Sequence, residues 1–375
     1  MKLSFETLTF QELLIFIFVV LEVVVVLAAI VALVVVRERA IRSERQVESA
    51  RRSLLDALAH IGSGAGEAGM PLALAAVASL TKDHARRLLT ELAEGAGTGG
   101  SRVLDELYAK AGLAAEARAN AQSRPWERLR AIREARALSD PARLLSVLLT
   151  DEVADVRLGA FEAMCTLGRA DEAMAALPVL VHDGRLNRVR VIDALSSTEP
   201  IPLVALVEHS HSETPEVRQV VVAVLGTAQV RSAVDVIVHA VTDIDAEVRI
   251  QALKALYELG DVSLLKTSLG ALQDPRWEVR SEAVKTCGRL GGGGAAEAIA
   301  VLLDDEAEWV RHNASLALSR CGPSGIAALR NAAGRGNASA SSALAEARMQ
   351  AAEPRSGEPE ALDGLSRGGV QPKLT

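Results

Sequence analysis

The stretch that decides the fold is TDIDAEVRIQALKALYELG at residues 242–260, which returns as QDPRWEVRSEAVKTCGRLG at residues 273–291. A Val-Arg pair has the same place in both copies, and the two arginines, Arg249 and Arg280, lie 31 residues apart. Further copies carry the pair at the same interval, as Val217-Arg218 and Val310-Arg311. Equal intervals with matching neighbours indicate internal repeats, which are the sequence signature of a repeat architecture.

Each repeat has the pattern of two helices joined by a turn. In the clearest one, apolar residues recur at helical spacing over 261–272, Asp274-Pro275 makes a turn, and a second apolar helix follows over 276–290. A small residue follows the repeated arginine by three positions, as Ala160, Ala252, Ala283 and Ala314. Aromatic residues are only 3% of the chain, so Ala, Leu and Val fill the core. The pattern predicts an all-α fold, an α-solenoid of helix pairs.

These residues resemble HEAT repeats, and most closely the short bacterial HEAT-like kind. The match is best at Asp274-Pro275, Val279-Arg280, Ala283 and the glycines at 288–291, and it extends over about 124–322. The resemblance implies a structural ladder of arginines and aspartates along the array. Its members are Arg157, Arg218, Arg249, Arg280 and Arg311 with Asp151, Asp243, Asp274 and Asp305. Ser212 stands where one aspartate is expected and interrupts the ladder, and Leu129-Arg130 replaces Val-Arg in a divergent early helix.

One column of the repeats is a candidate surface for binding a partner. The residue before each repeated valine is acidic in four copies and aromatic in the last, as Asp155, Glu216, Glu247, Glu278 and Trp309. Because the interval is constant, these side chains are expected to line one edge, with Trp277 nearby. Tryptophan is enriched where proteins bind each other. A solvated charged face is the alternative interpretation.

An apolar run at residues 13–36 precedes the repeats, and 24 residues of helix are enough to cross a bilayer. Arginines follow it at Arg37, Arg39, Arg42 and Arg45, so the positive-inside rule predicts a single-pass anchor with the N-terminus outside and the body in the cytoplasm. The resemblance to bacterial HEAT-like repeats implies that this membrane is the inner (plasma) membrane of a bacterium. A cleaved signal peptide is the alternative. Glu22 and Ala29 share a helical stripe and are candidates for pairing with another transmembrane helix, or for self-association.

The predicted organisation has six parts. They are a short non-cytoplasmic N-terminus (1–12), a transmembrane helix (13–36), a basic juxtamembrane helix with a Gly-rich linker (37–65), a small helical module (66–123), a HEAT-like array with a C-terminal capping repeat (124–351), and a disordered tail (352–375).

Composition argues against several classes of function. The net charge is −7, which is not the basic excess of a nucleic-acid binder. Three dispersed cysteines, Cys165, Cys287 and Cys321, indicate buried thiols in a reducing compartment. The seven histidines are scattered, and no metal, cofactor or catalytic set is expected.

The leading hypothesis is therefore a membrane-anchored scaffold, not an enzyme. It would bind membrane-associated protein partners through its repeat surface. The layout resembles that of bacterial membrane-anchored HEAT proteins, and the resemblance implies an envelope or glycosyltransferase-associated complex. The alternative is an enzyme of the bilin-lyase-like class, whose fold is similar.

Overall fold

The computed structural model describes residues 10–62, 66–95, 101–138 and 140–352. Within these ranges helices alternate with short turns and no strand occurs, so the predicted all-α class is confirmed. The chain forms two compact units, which we call the first unit and the second unit, and they meet in sequence between Ala176 and Leu177. Of the predicted N-terminus (1–12) and tail (352–375), residues 1–9 and 353–375 lie outside the described residues, whereas residues 10–12 belong to the first helix and Ala352 to the last. The predicted domain boundaries stay predictions.

The first unit contains nine helices within its described residues. They are α1 (Phe10–Gly62), α2 (Gly66–Ala78), α3 (Lys82–Gly95), α4 (Ser101–Lys110), α5 (Leu113–Asn120), α6 (Pro125–Glu134), α7 (Pro141–Leu148), α8 (Ala154–Thr166) and α9 (Ala170–Ala173). Helices α6 and α7 both pack on α8, as expected for an early copy of the repeat.

Helix α1 joins two predicted elements in one unbroken helix of 53 residues. Its residues 16–36 are all exposed, and their mean hydropathy reaches 3.3 in an apolar window of the helix. By length and composition this helix can cross a membrane. The juxtamembrane helix predicted from residue 37 is its direct continuation, because no glycine or proline interrupts the chain before Gly62.

The last part of α1 packs closely against α2. Ala50, Leu54 and Ala57 of α1 are buried. Gly69 of α2 lies so near that a Cβ atom there would be 2.5 Å from Cγ1 of Ile61 and 2.9 Å from the carbonyl oxygen of Ala57. Gly66 and Gly69, at the start of the predicted small module, therefore lie in a helix, and Gly69 permits the close approach of α1 and α2.

A buried polar cluster joins α3 to α5 and α6. Arg86 is 8% exposed, and its guanidinium pairs with Asp83 at 2.7 Å, with Glu134 at 3.1 Å and with Glu116. Burial raises the pKa of Glu134, although the nearby Arg86 acts in the opposite direction. Tyr108 is fully buried beside it, and burial raises the pKa of its phenol. The cluster connects α3 and α5, which show no repeat pattern in the sequence, to the divergent repeat helix α6.

The second unit is a stack of helix pairs. The first helices of the pairs are α10 (Leu177–His182), α12 (Leu203–His209), α14 (Val234–Ala240), α16 (Leu265–Gly270), α18 (Ala296–Val301) and α20 (Gly322–Gly334). The second helices are α11 (Arg185–Ser196), α13 (Pro215–Thr227), α15 (Ala246–Leu259), α17 (Trp277–Gly291), α19 (Glu308–Arg320) and α21 (Ala338–Ala352). Each first helix packs on the second helix of its pair, and consecutive second helices lie side by side.

The repeated residues explain this row of helices. The valines before the repeated arginines, Val217, Val248, Val279 and Val310, have no exposed surface, and neither do Ala252, Ala283 and Ala314. These residues recur at one place in each second helix, so each repeat offers the same apolar face to its neighbours. The expected solenoid of helix pairs is confirmed in this unit.

Candidate partner-binding surface

Neighbouring repeats of the second unit are joined by pairs of arginine and aspartate. The guanidinium of Arg218 in α13 donates from Nε to Oδ2 of Asp243 at 2.8 Å and from Nη2 to Oδ1 at 2.7 Å. Two further bidentate pairs repeat this geometry, Arg249 with Asp274 and Arg280 with Asp305. Each aspartate lies 25 residues after its arginine, so every pair connects one repeat to the next. Such forked, charge-assisted bonds fix geometry strongly.

The same groups also organise the turn inside each repeat. Oδ1 of Asp274 accepts a hydrogen bond from the backbone N–H of Arg276 at 2.9 Å. Nη1 of Arg280 donates to the carbonyl oxygen of Asp274 at 2.9 Å. Where serine replaces the aspartate, the Ser212 hydroxyl forms the corresponding bond and accepts from the N–H of Thr214 at 3.2 Å. These buried groups are occupied with one another, and the ladder therefore has a structural role.

The ladder differs from its expected form at both ends. In the first unit the partner of Asp151 is Arg128, with Nε 2.9 Å from Oδ2, whereas the sequence pattern favoured Arg130. Arg130 instead pairs with Glu134 at 2.9 Å. At the other end Arg311 donates to the carbonyl oxygens of Asp305 and Glu306 at 2.8 and 2.9 Å, and it forms no ion pair with a carboxylate of the described chain.

The ladder predicts that the second unit loses stability in acid. Burial alone would raise the pKa of Asp243, but bonds from Arg218 and from the N–H of Asp245 hold it below its ordinary value of 3.8. The pKa of Asp305 is lowered in the same way. A carboxyl whose pKa is lower in the folded state stabilises above its unfolded pKa, and this stabilisation disappears as pH falls through the folded pKa.

The dependence of the unfolding free energy on pH can be measured by urea unfolding between pH 5 and pH 2, with hydrogen exchange as the probe of the second unit. We expect Asp243→Asn to flatten the fall of the unfolding free energy below pH 3.8, whereas Glu297→Gln, which neutralises an exposed carboxylate on α18, leaves the slope unchanged. If the unfolding free energy fell with pH equally steeply in both variants, the Asp243 carboxylate would not be a source of the acid sensitivity.

The predicted acidic column lies at the N-terminal ends of second helices. Asp155, Glu216, Glu247 and Glu278 each occupy the second residue of their helix, in α8, α13, α15 and α17. A carboxylate in this position stabilises the positive end of the helix dipole. Glu278 is also paired with Arg276 at 3.0 Å, and hydrogen bonds from that guanidinium lower its pKa. The column thus has a structural explanation, and its role in binding stays a prediction.

The two candidate tryptophans are exposed at the same helix ends. Trp277 is 40% exposed and Trp309 is 64% exposed. The Trp309 ring meets His312 edge to face, with ring centroids 6.1 Å apart. Neither tryptophan lines the groove described next.

A groove crosses the second helices of four consecutive repeats, and its volume is about 680 Å³. Small residues form its floor, because a Cβ atom on Gly226 would lie 2.5 Å from that of Ala255, and one on Gly288 would lie 2.8 Å from that of Ala317. Tyr257, which also lines the groove, belongs to α15, between the helices that carry Gly226 and Gly288. The groove runs across α13, α15, α17 and α19.

Charged side chains surround this floor. The groove is lined by four cations, Lys254, Lys285, Arg289 and Arg320, and by two carboxylates, Glu258 and Glu282. Lys285 pairs with Glu282 at 3.1 Å, and the guanidinium of Arg289 lies 4.8 Å from the ring centre of Tyr257. Lys254 and Arg320 are exposed and form no ion pair with the described residues. The repeat interval could have revealed these cations, since Lys254 and Lys285, like Arg289 and Arg320, are 31 residues apart.

The other candidate residues lie outside these surfaces. Glu22 and Ala29 are both exposed on α1, seven residues apart and so on one face, and their pairing stays a prediction. The three cysteines are buried, and burial raises the pKa of the Cys287 thiol to about 12. No cluster of potential metal ligands occurs within the described part of the chain.

Comparison with known families agrees with this geometry. The family model described as HEAT repeats matches residues 202–270 and 265–349. Residues 202–349 therefore consist of HEAT repeats, and they cover the helix pairs α12 to α21 up to residue 349. Repeats of this class form scaffolds for interaction with other proteins. No match was found among curated proteins.

Solved structures that match the chain include engineered proteins and the complex of two lyase proteins. One engineered protein is 19% identical over 82% of this chain and 95% of its own, with a TM-score of 0.36. A second is 18% identical over 55% of this chain and 95% of its own, with a TM-score of 0.34. The complex of CpcE and CpcF of phycocyanin lyase from Nostoc sp. PCC7120 is 20% identical over 57% of this chain and 91% of its own, with a TM-score of 0.29. Likeness at this level carries no argument about activity.

Proposed function

We propose that this protein is a scaffold, anchored in a membrane by α1, that binds protein partners through the repeats of its second unit and has no catalytic activity of its own. The observation that carries the proposal is the open groove across four consecutive second helices. A surface that extends over several repeats can hold a long segment of a partner. The ladder fixes neighbouring repeats against one another, so the helices that form this surface are in place before a partner arrives.

The apolar part of α1 supports the anchor. Residues 16–36 are exposed along their whole length, and bilayer lipid would cover them. Exposed arginines follow directly at Arg37, Arg39, Arg42 and Arg45, which favours a cytoplasmic body at the inner membrane. Tethering partners beside the bilayer raises their effective concentration for one another. A companion in a glycosyltransferase or envelope complex fits this arrangement.

The test compares three forms of the protein in cells: the full chain, a chain lacking residues 1–36, and a chain that ends at Ala176. The first deletion leaves Ala50, Leu54 and Ala57 to pack on α2. We expect the full chain to resist extraction of membranes by alkaline carbonate and the form without 1–36 to be soluble. We expect partners identified by mass spectrometry to co-purify with both of these forms and to be lost when the second unit is removed.

Two results would contradict the proposal. A mature protein that starts after residue 36 would show that α1 contains a cleaved signal peptide instead of an anchor. An identical set of co-purifying proteins with and without the second unit would show that the repeats do not recognise them.

A further inference from the structure

We propose that the groove across α13, α15, α17 and α19 binds an extended, acidic segment of a partner protein. This inference deepens the proposed scaffold function and rests on it, since it assigns the chemical class of the segment that the repeats recognise. It also places recognition on a surface with the opposite charge to the acidic column at the helix ends.

The first argument is charge. The protein as a whole carries a net charge of −7, yet cations outnumber carboxylates four to two along the groove. Glu282 is already paired with Lys285, and only Glu258 on the groove wall forms no side-chain ion pair with the described residues. Lys254 and Arg320, in contrast, form no ion pair there and are exposed to solvent. Unpaired cations in a concave surface favour an anionic ligand.

The second argument is spacing. The cations lie on the second helices of three consecutive repeats, with Lys254 on α15, Lys285 and Arg289 on α17, and Arg320 on α19. Packed helices lie about 8–10 Å apart. A polyproline II segment has three residues per turn and rises about 3.1 Å per residue, so every third side chain points the same way at intervals of about 9 Å. A segment in this conformation with an acidic residue at every third position matches the three helices.

The third argument is the shape of the floor. Gly226 and Gly288 leave low points on the helices on either side of α15, which carries Tyr257, because the neighbouring helices contribute only Ala255 and Ala317 there. An extended backbone needs such low points for the side chains between its acidic residues. The Tyr257 ring, which already faces the Arg289 guanidinium, offers an apolar surface for a proline ring.

The test measures binding of a fluorescent peptide made of repeated Glu-Pro-Ala triplets to the full-length protein in detergent micelles, by fluorescence anisotropy. We expect saturable binding that weakens as salt is added, because exposed charges are screened. Lys254→Glu combined with Lys285→Glu is expected to weaken binding by about tenfold or more. The matched control is Lys266→Glu combined with Arg330→Glu, which makes the same change of charge at exposed positions outside the groove and is expected to leave binding unchanged.

Several results would overturn the inference. One is that the two double variants bind the Glu-Pro-Ala peptide with equal affinity. Another is that the unsubstituted protein binds a peptide of the same composition, with its glutamates placed side by side, as tightly as the Glu-Pro-Ala peptide. A third is that it binds Lys-Pro-Ala triplets or single-stranded DNA more tightly than the Glu-Pro-Ala peptide. Circular dichroism shows whether each variant is folded. If the acidic peptide fails while partners are still lost with the second unit, this inference falls and the scaffold function stands. If the peptide binds but no partner depends on the second unit, the proposed function falls instead.

Discussion

Replacement of Arg280 by methionine is expected to lower the free energy of unfolding of the second unit by about 3–5 kcal/mol. The guanidinium is buried, and it holds the Asp305 carboxylate through two bonds of 2.8 Å and the carbonyl oxygen of Asp274 through one of 2.9 Å. Methionine fills a similar volume but leaves that carboxylate buried without its cation. Uncompensated burial of a charge is what makes the loss large.

Arg311→Met is the matched control for this prediction. Arg311 has the same place in its helix and the same bonds to backbone carbonyl oxygens, but it forms no ion pair with a carboxylate of the described chain. Its loss is expected to cost only about 1–2 kcal/mol. Urea unfolding with hydrogen exchange read on α17 and α19 compares the two variants in the full-length protein. Equal losses would show that the ion pair between repeats contributes little.

Gly226→Ala is expected to destabilise the second unit by about 1–3 kcal/mol, although alanine is normally the better helix residue. The new Cβ atom would lie 2.5 Å from Cβ and 2.7 Å from Cα of Ala255, so α13 and α15 must move apart. A backbone atom cannot turn away as a flexible side chain can. The separation would also widen the groove at its floor.

The control for this substitution is Gly270→Ala on α16, where a Cβ atom meets nothing within 4 Å. There the substitution is expected to stabilise by about 0.5–1 kcal/mol, because alanine loses less backbone freedom on folding. Thermal unfolding of both variants, observed by hydrogen exchange in the second unit, gives the comparison. We expect Gly226→Ala to lower the stability of the second unit and Gly270→Ala to raise it. If both substitutions raised the stability, α13 and α15 would be able to move apart at no cost in free energy.

The repeated part of the fold is predictable from sequence because its cause is periodic. One interval places Val248 and Val279 in the core and Arg249 and Arg280 in the ladder, so a single alignment predicts many contacts. The partner of each arginine is harder to predict, since the bond crosses to the next repeat, 25 residues on.

The irregular part of the fold has no such guide. Arg86, Glu116 and Glu134 come together from three helices without a common spacing, and only their packing shows that they meet. Arg128 was missed for a related reason. In the divergent helix α6 the residue that pairs with Asp151 is Arg128, two positions before the arginine that the Val-Arg pattern indicates. The pattern identifies Arg130 because it follows Leu129, but it does not show which side chain reaches Asp151.

The candidate surface was only partly visible in the sequence. The acidic column and Trp309 predicted a binding surface at the helix ends, where the carboxylates have a structural explanation. The cations of the groove follow the same interval, but they stand on the helix face that becomes concave only when consecutive second helices pack side by side. Curvature of this kind is a property of the stack and is absent from any single repeat.

In the membrane-anchored arrangement that we propose, the continuity of α1 would make the orientation of the helix end at residue 62 depend on bilayer thickness. An apolar run of 24 residues is about 36 Å long, which exceeds a hydrocarbon core of about 30 Å and favours tilt. No joint separates this run from residues 37–62, whose far end lies about 39 Å beyond the apolar segment. A tilt of about 20° therefore carries that end, and α2 packed against it, about 13 Å sideways. In the proposed arrangement α1 would act as a lever arm, so a thicker membrane would hold the end of α1, and α2 packed against it, more upright.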